Sequence, residues 1–236
     1  MKFIMVKTYK EMSEKAADIM GAQVILKPDS VIGLATGSTP VGLYSELIKR
    51  CKAGLLDFSA VKTVNLDEYA GLSGNDSQSY RRFMNENLFD GINIDKNNTF
   101  VPNGKAPDLA AEGEEYDARI DSFGGIDMQL LGIGHDGHIG FNEPSDCFIA
   151  PTHEVTLTQD TINANSRFFD SADMVPKKAI TMGMRSIMQA KKILFVANGK
   201  DKKEIFEKAF FGPITPEVPA SILQIHPDVT VIYSEE

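Results

Sequence analysis

The stretch Leu131–Pro144 reads LGIGHDGHIGFNEP and joins an apolar run to a glycine-rich turn. Its first residues complete the apolar run Ile126–Ile133, which predicts a buried strand that ends in a loop. That loop carries Asp136, His138 and Glu143. Carboxylates and an imidazole held together are suited to moving protons. The stretch therefore predicts a site of acid/base chemistry at the end of a strand.

Working outward from this loop, short apolar runs alternate with helical patterns along the whole chain. The predicted strands are Val31–Ala35, Val61–Leu66, Ile126–Ile133, Lys191–Val196 and Val229–Tyr233, and the predicted helices are residues 9–26, 40–50, 79–88, 107–122 and 200–210. Such alternation is typical of an α/β fold. We expect one domain over residues 1–236, with an open, mainly parallel, Rossmann-like sheet and helices on both faces.

Three polar segments follow predicted strands, namely residues 36–40, 67–68 and 134–143. In open α/β sheets, ligands bind outside the carboxyl ends of the strands. The three segments are therefore expected to meet at one edge of the sheet and to form one site there.

The first of these segments, Thr36, Gly37, Ser38 and Thr39 before Pro40, resembles an anion-binding turn. Backbone N–H groups at a helix start lack partners within the helix, and the positive end of the helix dipole favours an anion. The alternative is a plain strand-to-helix turn with a Ser or Thr cap. The segment is not a P-loop, because no Gly-Lys-Ser/Thr follows.

The glycine-rich loop also matches the spacing G-x-G-x-x-G of dinucleotide-binding turns. We reject that interpretation, because no clear helix follows and the carboxylate of Asp136 would repel a pyrophosphate. A metal site is a further alternative, since the ligand types His135, Asp136, His138 and Glu143 occur together. Neither a cysteine nor a helical HExxH pattern supports it, so we expect no metal.

Asp67 and Glu68 end another apolar run. A lone acidic pair would be an ordinary strand end in solvent, but two carboxylates facing one pocket would raise the pKa of one of them by mutual repulsion. Such a group suits a base that works near neutral pH. Arg167 and Lys202 are candidate partners for a bound phosphate, with solvated surface cations as the alternative.

Composition limits the classes of partner. The 236 residues include 24 Lys and Arg against 33 Asp and Glu, and this net charge of −9 argues against nucleic acid and anionic membranes. Two isolated cysteines predict free thiols in a reducing compartment. The charged N-terminal segment is unlike a signal peptide, and no apolar run approaches the ~20 residues of a membrane span. We therefore expect a cytoplasmic protein.

In chain order, ATGSTP, NLDEY, GIGHDGHIGFNEP, TLTQDTINANSRFF and SILQIHP resemble the successive motifs of the glucosamine-6-phosphate deaminase family. The resemblance covers nearly the whole chain, and the string GIGxDGHIxFNEP is highly specific. The wider fold family also includes 6-phosphogluconolactonases and sugar-phosphate-sensing domains. The resemblance implies conversion of glucosamine 6-phosphate and water to fructose 6-phosphate and ammonia in amino-sugar catabolism, with no metal or organic cofactor.

The resemblance also implies roles for individual residues. His138 would be the base that opens the pyranose ring, oriented by Asp136 and Glu143, and Asp67 would take the C2 proton and later return a proton at C1. The substrate phosphate would be held by Thr36, Gly37, Ser38, Thr39, Arg167 and Lys202. Residues from about 152 to 175 would form a mobile lid that excludes water.

Two rival functions stay open on this basis. A lactonase of the same fold would bind a phosphorylated sugar acid and use the same loop, but it would need no base at Asp67. A sugar-phosphate sensor would need a DNA-binding segment, whereas only one helical pattern precedes the first predicted strand.

Some deaminases of this family are hexamers that N-acetylglucosamine 6-phosphate activates through basic residues after the NEP motif and a C-terminal extension. Here the segment SDCFIAPTHEV holds no Lys or Arg, and the sequence ends at Glu236, soon after the last predicted strand. We therefore expect a non-allosteric monomer.

Overall fold

The computed structural model describes residues 1–166, 169 and 174–236. In these ranges the strands are β1 (Lys2–Val6), β2 (Val31–Leu34), β3 (Lys62–Asn65), β4 (Asp67–Tyr69), β5 (Thr99–Phe100), β6 (Met128–Leu131), β7 (His153–Thr156), β8 (Lys178–Thr181), β9 (Ile193–Asn198) and β10 (Val229–Ser234). The α-helices are α1 (Tyr9–Leu26), α2 (Val41–Lys52), α3 (Tyr80–Asn87), α4 (Leu109–Ser122), α5 (Gln159–Asn165), α6 (Met184–Met188) and α7 (Lys203–Phe211). Short 3-10 helices include Lys200–Lys202 and Pro219–Ile225.

The central sheet is open and has the strand order β1-β10-β9-β6-β2-β3-β5, with every neighbouring pair parallel. Strands β2 and β6 are buried along their whole length, as expected where helices cover a parallel sheet. Helix α1 packs against β9, β10 and α2. The predicted α/β class with an open, mainly parallel sheet is confirmed.

Helix starts follow from local sequence signals. The N-cap side chains of α1, α3 and α4 are Thr8, Ser79 and Asp108, and each accepts a hydrogen bond from a backbone N–H of the first turn. Helix α2 differs, because its N-cap is Pro40, which makes no side-chain hydrogen bond. The hydroxyl of Tyr9 instead accepts a hydrogen bond from the backbone N–H of Gly42 (2.7 Å), so a side chain of α1 satisfies one N–H group in the first turn of α2.

The prediction that a helix precedes the first strand is wrong, because β1 comes before α1. Strand β1 lies at the edge of the sheet and pairs with β10 alone. Phe3 and Met5 are exposed there. Residues 3–6 do form a short apolar run, FIMV, but none of the residues of this edge strand is buried.

A second sheet of three antiparallel strands, in the order β4-β8-β7, was not predicted. Its link to the central sheet is direct, because the backbone N–H of Met182 donates to the carbonyl of Leu66 (2.6 Å). Asp67 and Glu68 therefore belong to a strand of their own, opposite Thr181 and Ile180, rather than to an exposed strand end.

The predicted lid, residues 152–175, begins within this second sheet, since His153–Thr156 pairs with β8. Helix α5 follows. Residues 167, 168 and 170–173, and with them Arg167, lie outside the described residues. None of the helices in the described ranges is long and apolar enough to cross a membrane.

Candidate active site

A cavity of about 620 Å³ lies at the carboxyl ends of β2, β3 and β6. Each of the three segments predicted from the sequence contributes to its lining: residues 36–40 after β2, Asp67 of the pair 67–68 after β3, and six of the residues 134–143 after β6. Tyr80, Thr161, Val196 and Lys202 also line it. Glu143 does not line this cavity and instead contacts His138.

The glycine-rich loop folds tightly because of its glycines. Gly137 has a φ of +94°, a conformation that favours glycine, and its N–H donates to the carbonyl of Gly134 (3.1 Å). A Cβ atom on Gly134 would lie 2.2 Å from Cε1 of His138. Glycine at position 134 therefore allows the imidazole to lie against the backbone of its own loop.

Two carboxylates hold one side of the His138 ring. Nδ1 of His138 lies 2.7 Å from Oδ1 of Asp136 and 3.7 Å from Oε2 of Glu143. Burial alone would lower the pKa of His138, but the hydrogen bonds and charges of Asp136 and Glu143 outweigh it and raise that pKa to about 9. Despite its own burial, Asp136 has its pKa held well below the usual range by His138. Nε2 is left as the ring nitrogen for a substrate.

Asp136, His138 and Glu143 are also the residues in the described part of the chain that could hold a metal ion together. Two zinc ligands at ~2.0 Å in a tetrahedral arrangement lie about 3.3 Å apart. The 2.7 Å between Nδ1 and Oδ1 is shorter than this and is a normal hydrogen-bond length. The arrangement as it stands suits a shared proton better than an ion.

Asp67 lies elsewhere on the cavity wall, at the start of β4. Only 6% of its surface is exposed. This burial, together with the charge of Glu68, raises the pKa of Asp67 to about 7, against a smaller opposing effect of His138. A carboxylate with this pKa is a far stronger base than an ordinary aspartate and is still largely ionised just above neutral pH.

Glu68 does not share the cavity with Asp67, contrary to the arrangement considered from the sequence. Its carboxylate accepts hydrogen bonds from the backbone N–H groups of Tyr69 (2.9 Å), Tyr80 (2.9 Å) and Arg81 (3.1 Å). The mutual repulsion expected for the pair is present, but burial is the larger cause of the raised pKa of Asp67.

The segment Thr36–Thr39 lines the cavity just before α2. Gly37 has a φ of +96°, so the turn depends on glycine there. The hydroxyl of Thr39 donates to the side chain of Asn198 (3.0 Å), and the hydroxyl of Tyr9 donates to the carbonyl of Ser38 (3.1 Å). Neighbouring elements thus hold the turn in place at the start of α2.

Lys202 lines the cavity from the 3-10 turn before α7. Its ammonium group donates to the carbonyl of Ile133 (2.7 Å), which joins this turn to the glycine-rich loop. A second contact between the same segments joins Nε2 of His135 to Oδ2 of Asp201 (2.7 Å). His135 is therefore paired with Asp201 rather than grouped with the three residues around His138.

Tyr80, which no sequence motif singled out, lies half-buried in the cavity wall at the first residue of α3. Its ring stacks on Phe141, with centroids 5.9 Å apart and 16° between the planes. Its hydroxyl hydrogen-bonds with the side chains of Tyr69 and Thr36. Tyr80 thus links the turn Thr36–Thr39 to the strand of Asp67, and no motif in the sequence signals this contact.

The fold and these residues match a known class of proteins. Residues 7–232 fit the model of the glucosamine-6-phosphate isomerases/6-phosphogluconolactonase family, and the chain belongs to this family. The sequence is 62% identical over 232 residues to a glucosamine-6-phosphate deaminase of Lachnoclostridium phytofermentans, with 98% of each chain covered. It is 56% identical over 236 residues to a glucosamine-6-phosphate deaminase of Clostridium perfringens, which covers 100% of this chain and 98% of that protein.

Comparison with solved structures gives the same family. A structure described as a monomeric glucosamine-6-phosphate deaminase has a TM-score of 0.97 at 48% identity, covering 99% of this chain and 97% of that one. A 6-phosphogluconolactonase from Thermotoga maritima has a TM-score of 0.76 at 20% identity, covering 100% and 99% of the two chains. The second likeness concerns the fold alone.

Proposed function

We propose that this protein is a glucosamine-6-phosphate deaminase, which converts glucosamine 6-phosphate and water to fructose 6-phosphate and ammonia. The observation that carries the proposal is that two separately held proton-transfer groups, Asp67 and His138, line one cavity. One is a buried carboxylate whose pKa is raised to about 7, and the other an imidazole whose pKa is raised to about 9. Ring opening and proton abstraction at C2 need two such groups at two positions.

The phosphate anchors the far end of the substrate in this proposal. The turn Thr36–Thr39 offers backbone and hydroxyl donors at the start of α2, and Lys202 supplies a cation at the same cavity. Arg167 is a second cation proposed from the sequence. Binding energy gained at the phosphate positions the sugar carbons against the reacting groups.

Ring opening is assigned to His138. Because its pKa is about 9, the imidazole is mostly protonated at neutral pH. Nε2 donates its proton to the ring oxygen O5 as the C1–O5 bond breaks, and the neutral imidazole then takes the proton of the O1 hydroxyl. The products are the C1 aldehyde and the C5 hydroxyl, with the imidazole again protonated. Asp136 and Glu143 hold the ring and stabilise its charged form.

Proton abstraction at C2 is assigned to Asp67. The C2 proton is acidic only once C1 is an aldehyde, so ring opening comes first. Asp67 takes this proton while the protonated imidazole of His138 gives one to O1, which yields an enolamine with a C1–C2 double bond. Asp67 then returns its proton to C1 as C2 becomes a protonated imine. Water adds to C2, ammonia leaves, the remaining proton returns to His138, and the ketone of fructose 6-phosphate remains.

The proposal also includes the oligomeric state and the lid. Similarity to a solved monomeric deaminase supports a monomer. The segment 152–175 is proposed to close over the bound sugar, and its first residues border the site, since the hydroxyl of Thr158 lies 3.4 Å from Oε2 of Glu143.

The experiment compares two substrates. Purified protein is given glucosamine 6-phosphate with enzymatic detection of fructose 6-phosphate and ammonia, and in parallel 6-phosphogluconolactone with detection of acid release. We expect both products from the amino sugar in equal amounts. Lactone hydrolysis without release of ammonia would refute the proposal and favour a lactonase. The variant Asp67→Asn distinguishes the two candidate activities, because only the deaminase needs a base at that position.

A further inference from the structure

Glu68 is a buried acid that the proposed mechanism does not use. Only 2% of its surface is exposed, yet its two oxygens receive three backbone N–H groups, those of Tyr69, Tyr80 and Arg81. Two of these N–H groups belong to the first turn of α3, where the helix dipole also favours a negative charge. Hydrogen bonds of this kind favour the ionised form of a carboxyl group and offset part of the effect of burial, which on balance still raises the pKa of Glu68 above its usual value.

Asp67 has the opposite surroundings. Within the described ranges no side chain or backbone N–H donates a hydrogen bond to its carboxylate, although it is almost as buried as Glu68. The two neighbours in β4 therefore differ in their hydrogen-bond donors. Glu68 has N–H groups that stabilise its negative charge, whereas Asp67 has to ionise close to that charge without a donor of its own.

We propose that Glu68 is a positioning residue that acts through Asp67: its ionised carboxylate, fixed by the N–H groups of α3, supplies the negative charge that makes Asp67 a base strong enough to deprotonate carbon. The same hydrogen bonds fix the start of α3 and so hold Tyr80 in the cavity wall. The inference rests on the proposed function, because it assigns Glu68 a part in the step at C2.

The other charged and titratable groups around Asp67 do not make it a stronger base. His138 opposes it, since its positive charge lowers the pKa of Asp67. Tyr69, Tyr80 and Tyr116 are neutral near pH 7, because burial raises the pKa of each phenol. Arg81 donates to the hydroxyl and the carbonyl of Thr99 (2.7 Å each). Glu68 is thus the group whose charge, together with burial, raises the pKa of Asp67.

The test compares Glu68→Gln with Ser79→Ala. Glutamine keeps the size and an acceptor oxygen of Glu68 but removes the charge. Ser79 accepts a hydrogen bond from Arg82 N–H (3.1 Å) at the same helix start, and its hydroxyl also hydrogen-bonds with Glu68. Ser79→Ala therefore weakens the cap and removes one donor, but the carboxyl group of Glu68 and its three backbone N–H donors stay. For each protein, kcat/KM for glucosamine 6-phosphate is measured against pH. In parallel, the carboxyl carbon of Asp67 is titrated by NMR in aspartate-labelled protein, with Asp67→Asn identifying the signal.

In Glu68→Gln we expect the acidic limb of the rate profile and the NMR midpoint of Asp67 to move together to lower pH by about 1 unit. The rate on the plateau should also fall, because a weaker base abstracts the proton more slowly. Ser79→Ala should keep the wild-type midpoint. Unmoved midpoints in folded Glu68→Gln would overturn the inference and leave Glu68 as a helix cap only.

Two further outcomes are separable. If Glu68→Gln does not fold, Glu68→Asp keeps the charge with a shorter side chain, and a clear fall of its Asp67 midpoint would overturn the inference. If the NMR midpoint shifts as expected but no protein releases fructose 6-phosphate, the coupling of the two carboxylates stands and the proposed function fails.

Discussion

Oδ1 of Asp136 lies 2.7 Å from Nδ1 of His138, so the imidazole meets a carboxylate on one nitrogen and leaves Nε2 for a substrate. The contact raises the pKa of His138 above its ordinary value, with help from Glu143 and against the effect of burial. In the protein without substrate, His138 is therefore a proton donor at neutral pH. It becomes a base only after it has given up that proton. This sequence of events would let one residue both donate and accept a proton in the proposed ring opening.

Asp67→Asn should abolish exchange of the C2 hydrogen while leaving substrate binding largely intact. The amide keeps the shape of the side chain but cannot accept a proton, and the loss of a general base costs about 10²–10⁴-fold in rate. Exchange is followed by NMR in deuterated water, and binding by calorimetry. Exchange at the wild-type rate in Asp67→Asn would show that another group takes the C2 proton.

His138→Gln should slow turnover of the cyclic sugar much more than turnover of an acyclic aldehyde analogue. The analogue needs no ring opening, so it avoids the step assigned to His138. Steady-state rates of both substrates are compared in the wild type and in the variant. Equal losses for both would mean that His138 acts in a later step.

The pH profile of kcat/KM should be bell-shaped, with midpoints of about 7 and about 9. Asp67 must be ionised to accept the C2 proton, so activity falls as the pH drops through its raised pKa. His138 must be protonated to donate to O5, so activity falls as the pH rises through its own raised pKa. The substrate phosphate titrates at about 6 and can be told apart from Asp67 by its own phosphorus NMR titration. A profile without an alkaline limb near 9 would contradict the donor role.

Lys202→Met should raise KM for glucosamine 6-phosphate about tenfold or more with a smaller effect on kcat, because a charged hydrogen bond to phosphate is lost. Lys200→Met is the matched control, since Lys200 belongs to the same 3-10 turn but does not line the cavity. It should leave KM near the wild-type value. If both variants, or neither, change KM, Lys202 is not a specific phosphate contact.

The parts of the candidate site that are formed by short continuous segments could be predicted from the sequence. The turn at Thr36–Thr39 and the loop carrying Asp136, His138 and Glu143 follow directly from glycine-rich exits of apolar strands. Their meeting at one cavity follows from the parallel sheet, because carboxyl ends of parallel strands share an edge. The central strands were predictable for the same reason, since inner parallel strands are continuous apolar runs.

Other features depend on packing that no local pattern records. Strand β4 has three residues and forms only because β8 lies beside it. Asp67 and Glu68 are consecutive in this strand, so their side chains point to opposite faces, and of the two only Glu68 receives N–H groups of α3. Tyr80 reaches the cavity through the position of α3 relative to β4. Glu68 and Tyr80 are 12 positions apart in the sequence, and nothing in the intervening residues indicates that they are in contact.

The rate should depend hyperbolically on glucosamine 6-phosphate, and N-acetylglucosamine 6-phosphate should not change the shape of the curve. An anionic effector needs local cations, but the segment after Pro144 carries Asp146 and Glu154, and Lys178 nearby is already paired with Glu154. Allostery also needs a second site that biases two states. Initial rates with and without the acetylated sugar decide the question, and sigmoidal curves that the effector makes hyperbolic would contradict the prediction. Light scattering at assay concentrations tests the monomer separately.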